Sequence, residues 1–229
     1  MNSLIQLESG ILGSKADCDA LAEKKAAKLI VISDSHGRSD ILRTLFLKYG
    51  ESCDALLFAG DGIRDLAVCL EEACAEAYFM KCIPPVIAFV RGNNDPPSVR
   101  TSFNPYGDTV HHEYFSLNAP RSTVITAAGK RILLAHGHEY GVYYSTTVIE
   151  NAAKEQNADA AVFGHTHYPA EIRRDVYLMN PGSISSPRNC SKPGFSFIQI
   201  AGKELYSVFY SAERNASDYA PYTPDFLYY

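Results

Sequence analysis

Five times in this chain a short apolar run breaks off into a tight cluster of glycine with histidine, aspartate or asparagine. Leu29 to Ile32 ends in Asp34-Ser35-His36-Gly37, and Ala55 to Ala59 ends in Gly60-Asp61-Gly62. Val86 to Val90 ends in Arg91-Gly92-Asn93-Asn94-Asp95, Ile132 to Ala135 in His136-Gly137-His138, and Ala160 to Phe163 in Gly164-His165-Thr166-His167. The runs do not alternate apolar with polar. That pattern fits strands buried on both faces, as in the middle of a layered, mostly parallel sheet. In open α/β sheets the carboxyl ends of the strands form the edge where ligands bind. The sequence therefore predicts five polar clusters converging on one edge.

The segments between the runs support an α/β arrangement. Ile41 to Leu47 carries apolar residues at helical spacing, as does Ile63 to Tyr78, and Pro84-Pro85 closes the second connection. Strand and helix patterns in alternation predict βαβ units with right-handed crossovers. Pro96 to Asp108 reads as loop and His112 to Leu117 as a short strand. Ser122 to Thr126 and Ile132 to Ala135 read as a hairpin turning at Gly129-Lys130. Tyr143 to Gln156 reads as a helix. Val176 to Met179 leads into Asn180-Pro181-Gly182-Ser183, and Phe195 to Ile200 with Leu205 to Tyr210 reads as a closing hairpin. There is no internal repeat. Residues 1–27 read as an N-terminal extension of helical composition, 28–211 as one domain, and 212–229 as a tail rich in Tyr and Pro. Such a tail suits covering the protein's own surface or a partner subunit, so a homo-oligomer is one expectation.

Composition narrows the function classes. Hydrophobic residues make up 46% of the 229, enough for a sizeable core, and the net charge is −5. No bulk positive field is available for nucleic acid or a membrane surface, and no nucleic-acid-binding domain is evident. The six cysteines are Cys18, Cys53, Cys69, Cys74, Cys82 and Cys190, with no Cys-x-x-Cys pair, which argues against a disulfide framework or a thiolate metal site. The first residues lack a basic stretch followed by a long apolar core. No apolar run reaches the roughly 18 residues of a membrane span. A reducing cytoplasm is the expected location. Asn189-Cys190-Ser191 and Asn215-Ala216-Ser217 match the glycosylation pattern, which is common by chance.

The chemistry lies in the clusters. They contain five of the seven histidines of the chain. A single histidine in a loop is usually solvated or satisfied in the core; this concentration argues instead for one shared site. Asp34 and His36 are two residues apart, so in extended chain both side chains leave on the same side. The donor set of imidazole, carboxylate and amide oxygen suits Mn, Fe, Ni, Zn or Co, with manganese first among them, rather than Ca. It exceeds what one tetrahedral zinc requires and fits two divalent transition metal ions side by side. Asp61, between two glycines that let the backbone approach closely, is the candidate bridge. Two such ions clamp a phosphoryl group and lower the pKa of a bound water from about 15.7 to about 7. Against two carboxylates they leave a formal charge of about +2, which draws an anionic ester to an acidic protein.

With these motifs in place, the chain resembles the calcineurin-like metallophosphoesterases, above all their small bacterial and archaeal phosphodiesterase branch. Asp34-Ser-His36-Gly, Gly60-Asp61, Gly92-Asn93-Asn-Asp95, His136-Gly-His138 and Gly164-His165-Thr-His167 carry the resemblance, and Asn180-Pro-Gly-Ser183 adds a further block. It runs from about Lys28 to Tyr210. The resemblance implies an α/β (α+β layered) protein with the metallophosphoesterase fold, a two-sheet β-sandwich flanked by helices, with the hairpins after His112 in the second sheet. It implies one metal held by Asp34, His36, Asp61 and His167, and another held by Asp61, Asn93, His136 and His165. Larger family members carry a histidine after the metal-binding asparagine that assists the leaving group; here that residue is Asn94. An amide can hydrogen-bond a phosphoryl oxygen but is no proton donor at neutral pH. His138 is the substitute candidate for the general acid. Asp95 is expected to orient a ligand histidine, and Arg188 could reach a phosphate, although a lone exposed arginine is more often solvated.

The expected activity is hydrolysis of a small phosphate ester, a diester first, by attack of metal-bound hydroxide. Two alternatives stand beside it. A phosphomonoesterase or nucleotidase would use the same site, since ester type is set by pocket walls. A non-catalytic scaffold is known for a eukaryotic coat-complex subunit of this fold, whose site has lost metal-ligand histidine character; here every ligand type is intact.

Overall fold

The computed structural model describes residues 2–103, 113–211 and 218–224. Helix α1 (Lys15–Glu23), capped by the Ser14 hydroxyl, which accepts from the Asp17 amide at 3.0 Å, leads into strand β1 (Ala26–Ile32). Helix α2 (Ser39–Tyr49) joins β1 to β2 (Ala55–Phe58), and α3 (Ile63–Ala75) with the short α4 (Ala77–Lys81) joins β2 to β3 (Val86–Phe89). Among the described residues strands β4 (Ser98–Phe103) and β5 (Glu113–Asn118) pair only with each other. The hairpin β6 (Ser122–Ala127) and β7 (Lys130–Ala135) is followed by α5 (Thr147–Glu155), β8 (Ala160–Val162), β9 (Pro169–Arg173) and β10 (Tyr177–Pro181). Strands β11 (Gly194–Ala201), β12 (Glu204–Ser211) and β13 (Ala220–Tyr222) complete the described chain.

Two sheets form the sandwich. The first runs β13-β12-β11-β1-β2-β3, with β1, β2 and β3 mutually parallel and β11 antiparallel to β1. The second runs β6-β7-β8-β10-β9. The non-alternating runs now have a physical explanation. Ile30, Ile32, Leu56, Phe58, Ile87 and Phe89 face one core, shared with Leu42 and Phe46 of α2 and Leu66 and Leu70 of α3. Leu29, Val31, Leu57 and Val86 face the other way, against Ile132, Leu134 and Val162 of the second sheet. The outer face of that sheet, at Leu133, Ala161 and Leu178, is covered by Ile149 and Ala153 of α5. Each central strand is thus apolar on both sides, and the layers are helix, sheet, sheet, helix. Among the described residues no helix is long and apolar enough to cross a membrane.

The residues before β1 are built into this core. Leu12 is fully buried and pairs with Ile87 next to the outer strand of the first sheet. The buried Asn2 amide donates to the carbonyls of Pro84 and Pro85, each at 3.0 Å.

Several expectations need correction. The stretch read as loop from Pro96 contains β4, whose Ser-Val-Arg-Thr-Ser-Phe has a strand's period of two hidden among polar residues; Thr101 turns inward to donate to Glu71 of α3 at 2.9 Å. His112 and residues 104–108 of that loop lie outside the described residues. The helix expected over Ile63 to Tyr78 breaks at Glu76, which has extended φ and ψ of −128° and 100°. The break lets Phe79 turn inward, fully buried, 6.4 Å from Phe46. The helix expected from Tyr143 begins only at Thr147. Strand β9 was unexpected because it opens on a proline, tolerated at the first position of an edge strand. Of the hairpins placed in the second sheet, β6–β7 lies there, but β11–β12 extends the first sheet beside β1, and β5 belongs to neither.

Candidate metal centre

The five clusters meet at the carboxyl ends of strands from both sheets. Asp34 and His36 follow β1, Asp61 follows β2, and Asn93 to Asp95 follow β3. His136 and His138 follow β7, and His165 and His167 follow β8. Asp34, His36, Asp61, His165 and His167 all have positive φ, between 43° and 68°. For residues other than glycine that conformation costs on the order of 1–3 kcal/mol each, and it persists only where surroundings enforce it. Here the Asp34 amide donates to the Gly60 carbonyl at 2.9 Å and the His36 amide to the Asp61 carbonyl at 3.1 Å, tying two strand ends together. The His165 amide donates to Asp34 Oδ2 at 3.1 Å, tying in a third. The approach is close enough to require glycine at several positions. A Cβ on Gly92 would strike the Asp61 carboxylate, and one on Gly164 would strike the Ser33 hydroxyl.

The donor atoms of Asp34, His36, Asp61 and His167 lie within 4.8 Å of one another. Two ligands about 2.1 Å from one ion are at most about 4.2 Å apart, so a small contraction closes this group on a cation. His136 enters from the second sheet. Its Nε2 stands 3.5 Å from Asp61 Oδ2 and 4.0 Å from Asp34 Oδ1. His167 Nε2 is 3.1 Å from Asp34 Oδ1, and His36 Nε2 is 3.7 Å from the same oxygen.

The tautomers give the strongest indication of a bound cation. His136 Nδ1 donates to the Ala59 carbonyl at 2.6 Å, and His167 Nδ1 donates to the Ser186 carbonyl at 2.7 Å. A carbonyl only accepts, so these contacts place the proton of each neutral ring on Nδ1 and leave Nε2 as a bare lone pair. His136 Nε2 then faces carboxylate oxygens, which are lone pairs too, while His167 Nε2 faces both Asp34 Oδ1 at 3.1 Å and His36 Nε2 at 3.0 Å. Asp34 Oδ1 and His136 Nε2 are buried and have no hydrogen-bond partner among the described residues. Such a set is repulsive unless something positive stands among the atoms, and a divalent cation or bound protons would serve. The donors are nitrogen and oxygen throughout, and the set fits a divalent transition metal. Backbone carbonyls that fix a histidine's far nitrogen are the usual outer support of metal ligands.

The electrostatics show how bound protons would fill that role. Burial alone would push the Asp34 carboxyl up, but contacts with His167 and His36 hold it below the carboxylate range. Burial likewise opposes ionisation of Asp61, while His136 and the Asn94 amides bring its pKa down to about 2. Burial lowers the basicity of His136 and His167, yet Asp61 and Asp34 raise both above the ordinary imidazole value. His165 falls to about 4, first through burial and then through the neighbouring His136.

The remaining predicted residues are placed less tightly. The His165 ring packs 5.2 Å from the His136 ring and edge-on to Tyr143 at 4.9 Å, outside the compact donor group. Asn93 is exposed, and its side chain makes no hydrogen bond among the described residues. Asn94 sits on Asp61 instead, its backbone amide donating to Oδ1 at 2.8 Å and its side-chain amide to Oδ2 at 2.6 Å. The His138 ring lies 5.4 Å from that of His136, and its buried Nδ1 has no partner among the described residues. Burial and the proximity of His136 lower its pKa. Asp95 does not orient a histidine. It accepts from the amides of Gly62, Ile63 and Gly92, each at 2.9 Å, capping α3 and fastening the third strand end to the second.

Other supporting residues were not singled out from the sequence. Asp65, buried on α3, accepts from the Ser35 hydroxyl and from the Gly37 amide at 2.9 Å, and so holds the Asp34–Gly37 loop. Ser33 donates to Asp34 Oδ2 at 2.6 Å. The Asn-Pro-Gly-Ser block is a buttress: Asn180 donates to the Gly164 carbonyl at 2.7 Å, and Ser183 donates to the Asp34 carbonyl at 2.7 Å. Asp65 stands in the first turn of a helix, where an acidic residue is ordinary, so nothing local distinguished it.

The geometry can be set beside known proteins. A family model described as the calcineurin-like phosphoesterase superfamily domain matches residues 28–203. A Bacillus subtilis protein named "Probable metallophosphoesterase YsnB" is 25% identical over 188 residues, 82% of this chain and 92% of that one. Phosphodiesterase YfcE of Escherichia coli K12 is 33% identical over 86 residues, 37% of this chain and 42% of that protein. The solved structure of Vacuolar Protein Sorting 29 from Cryptosporidium parvum shares the fold, with a TM-score of 0.60 at 18% identity over 87% of this chain and 98% of that one.

Proposed function

Because the chain belongs to the calcineurin-like phosphoesterase superfamily, we propose that it is a two-ion phosphoesterase acting on phosphodiesters, with residues 28–211 as its hydrolytic unit. The observation that carries this reading is the buried Nε2 of His136, which faces Asp61 and Asp34 with no hydrogen-bond partner among the described residues while its Nδ1 is committed to the Ala59 carbonyl, beside a His167 whose Nδ1 is likewise committed to a carbonyl and whose Nε2 faces Asp34. In this reading Asp34, His36, Asp61 and His167 hold one divalent ion, and Asp61, Asn93, His136 and His165 hold the other, with manganese the first candidate for both. Ions bound there supply Lewis acidity toward the phosphoryl oxygens and lower the pKa of water.

The chain's own residues do the rest. Asp61 faces both sets of donors, and Asn94 holds both of its oxygens so that the carboxylate cannot rotate away. In this reading His138, which lies beside His136 and is one-quarter exposed, approaches the leaving oxygen. Burial and the neighbouring His136 lower its pKa, so a role in donating a proton requires the substrate's charge to raise it again. Preference for diesters draws support from the matched stretch of YfcE, a protein named a phosphodiesterase.

The test is hydrolysis of a panel of phosphate mono- and diesters by the manganese-loaded protein, run beside Asp61→Asn and His136→Ala. Diester turnover that both substitutions abolish supports the reading. Turnover of monoesters alone corrects the substrate class, and full activity in either variant contradicts the site.

A further inference from the structure

Above the donor group two side chains meet that the proposed chemistry has not used. Tyr143 comes from the loop after β7, the same loop that carries His136 and His138. Its place is set by its neighbours: Gly141 turns the chain at a φ of 61°, and Val142 is fully buried, so close to Gly137 that a Cβ there would come within 2.8 Å of it. With Val142 anchored inward, the Tyr143 ring lies edge-on to His165 at 4.9 Å and remains 38% exposed. Arg188 comes from the loop after β10. Its backbone amide donates to the His167 carbonyl at 3.1 Å, and its carbonyl accepts from the Ser191 hydroxyl at 2.6 Å. The backbone is therefore fixed beside one proposed ligand while the side chain is exposed. Its guanidinium carbon stands 5.8 Å from the centre of the Tyr143 ring. Two loops thus close over His165 and His167 from different parts of the chain.

The charge of Arg188 is available. Arg38, at the end of the first loop, is held by Asp40 through two bonds of 2.8 and 2.7 Å, and Arg121 is paired with Glu139 at 2.9 Å. Among the described residues Arg188 has no carboxylate partner. A guanidinium offers a planar fork that matches two phosphate oxygens, and an aromatic ring offers a face for stacking.

Resting on the phosphodiesterase reading above, we infer that Arg188 and Tyr143 form its substrate-recognition lip, Arg188 binding a non-bridging phosphoryl oxygen and Tyr143 stacking on a planar aromatic group of the alcohol arm that stays on phosphorus. The substrate class is a phosphodiester whose retained arm is aromatic, either an aryl group or a nucleoside. The leaving arm must lie opposite the attacking oxygen, so the retained arm is the one left to project past the rim. Hydrogen bonds to a charged group and base–aromatic stacking each contribute about tenfold to a hundredfold in affinity.

The experiment uses the full-length manganese-loaded protein and 4-nitrophenyl phosphodiesters that share one leaving group and differ in the retained arm: methyl, phenyl or a 5′-nucleoside. Arg188→Ala is expected to raise KM about tenfold to a hundredfold on all three, with kcat changed less than about threefold, and Arg188→Lys to recover part of the loss. Tyr143→Leu is expected to raise KM about tenfold for the phenyl and nucleoside diesters and not for the methyl diester, while Tyr143→Phe restores the wild-type value. A larger effect on the nucleoside than on phenyl assigns the arm to nucleosides, and the reverse assigns it to aryl groups. Unchanged KM in both Arg188→Ala and Tyr143→Leu overturns the inference, as does a Tyr143→Leu loss equal on all three arms. Manganese content at the wild-type level in each variant excludes a collapse of the ligand set. If the wild-type protein binds manganese and hydrolyses none of the diesters, the phosphodiesterase reading falls too, and that outcome is separate from unchanged KM in an active enzyme.

Discussion

Asp34 and Asp61, after β1 and β2, are held differently from Asn93 and His165, after β3 and β8. Asp34 and Asp61 are almost wholly buried, and every oxygen except one is already engaged. Asp34 Oδ2 takes bonds from Ser33 and the His165 amide, its backbone carbonyl takes them from Ser183 and Ser185, and both Asp61 oxygens are held by Asn94. Asn93 and the His165 ring, by contrast, have no such scaffolding; one is exposed, and the other is held by ring contacts with His136 and Tyr143. One half of the centre is assembled by the fold itself, while the other still has donors to bring in. The proposed ion sites should therefore differ in affinity, the Asp34–His36–His167 site filling first.

The largest effect should follow a change that damages both halves. Asp61→Asn removes the shared carboxylate charge and is expected to lower kcat by roughly a thousandfold, several kcal/mol of barrier, measured on diesters with excess manganese. Next come substitutions that separate the halves. His167→Ala should weaken the tighter of two manganese-binding steps by about a hundredfold in calorimetry, whereas His165→Ala should leave that step intact and weaken the second. Equal effects would erase the difference between the halves. Asp65→Asn reaches the first half only through the Ser35 and Gly37 contacts, and should cost about tenfold in metal affinity together with about 1–3 kcal/mol of stability in thermal unfolding. Smallest is Asn94→Ala. The backbone amide still holds one Asp61 oxygen, so kcat should fall only by about threefold to tenfold, and a much greater loss would mean that the side chain does more than brace the carboxylate.

The same contrast shows what a sequence can reveal. The strand-end clusters were readable because each is announced locally by an apolar run, and because histidine is rare enough that its concentration is informative. The layered sandwich came from a resemblance, since periodicity alone supports a plain parallel sheet. What stayed hidden depends on contacts distant in sequence. Asp65 reaches the first loop only after α3 folds back, and the carbonyls of Ala59 and Ser186, which fix two imidazoles, carry no side-chain signature at all. Asp95 looked like a partner for histidine because it neighbours the donors, yet its oxygens close on the amides of α3. Strand β4 and the break at Glu76 were missed for a related reason: short elements follow the burial of single residues such as Thr101 and Phe79, not a repeated pattern.

The proposed chemistry requires nitrogen and oxygen donors delivered by two sheets to hold cations between them. Metal analysis of the purified protein after equilibration with manganese addresses it directly. The expected result is about two ions per wild-type chain, with the content falling sharply in Asp34→Ala and Asp61→Asn proteins that remain folded. A folded wild-type protein that retains no ion, or variants that retain as much as the wild type, would contradict it.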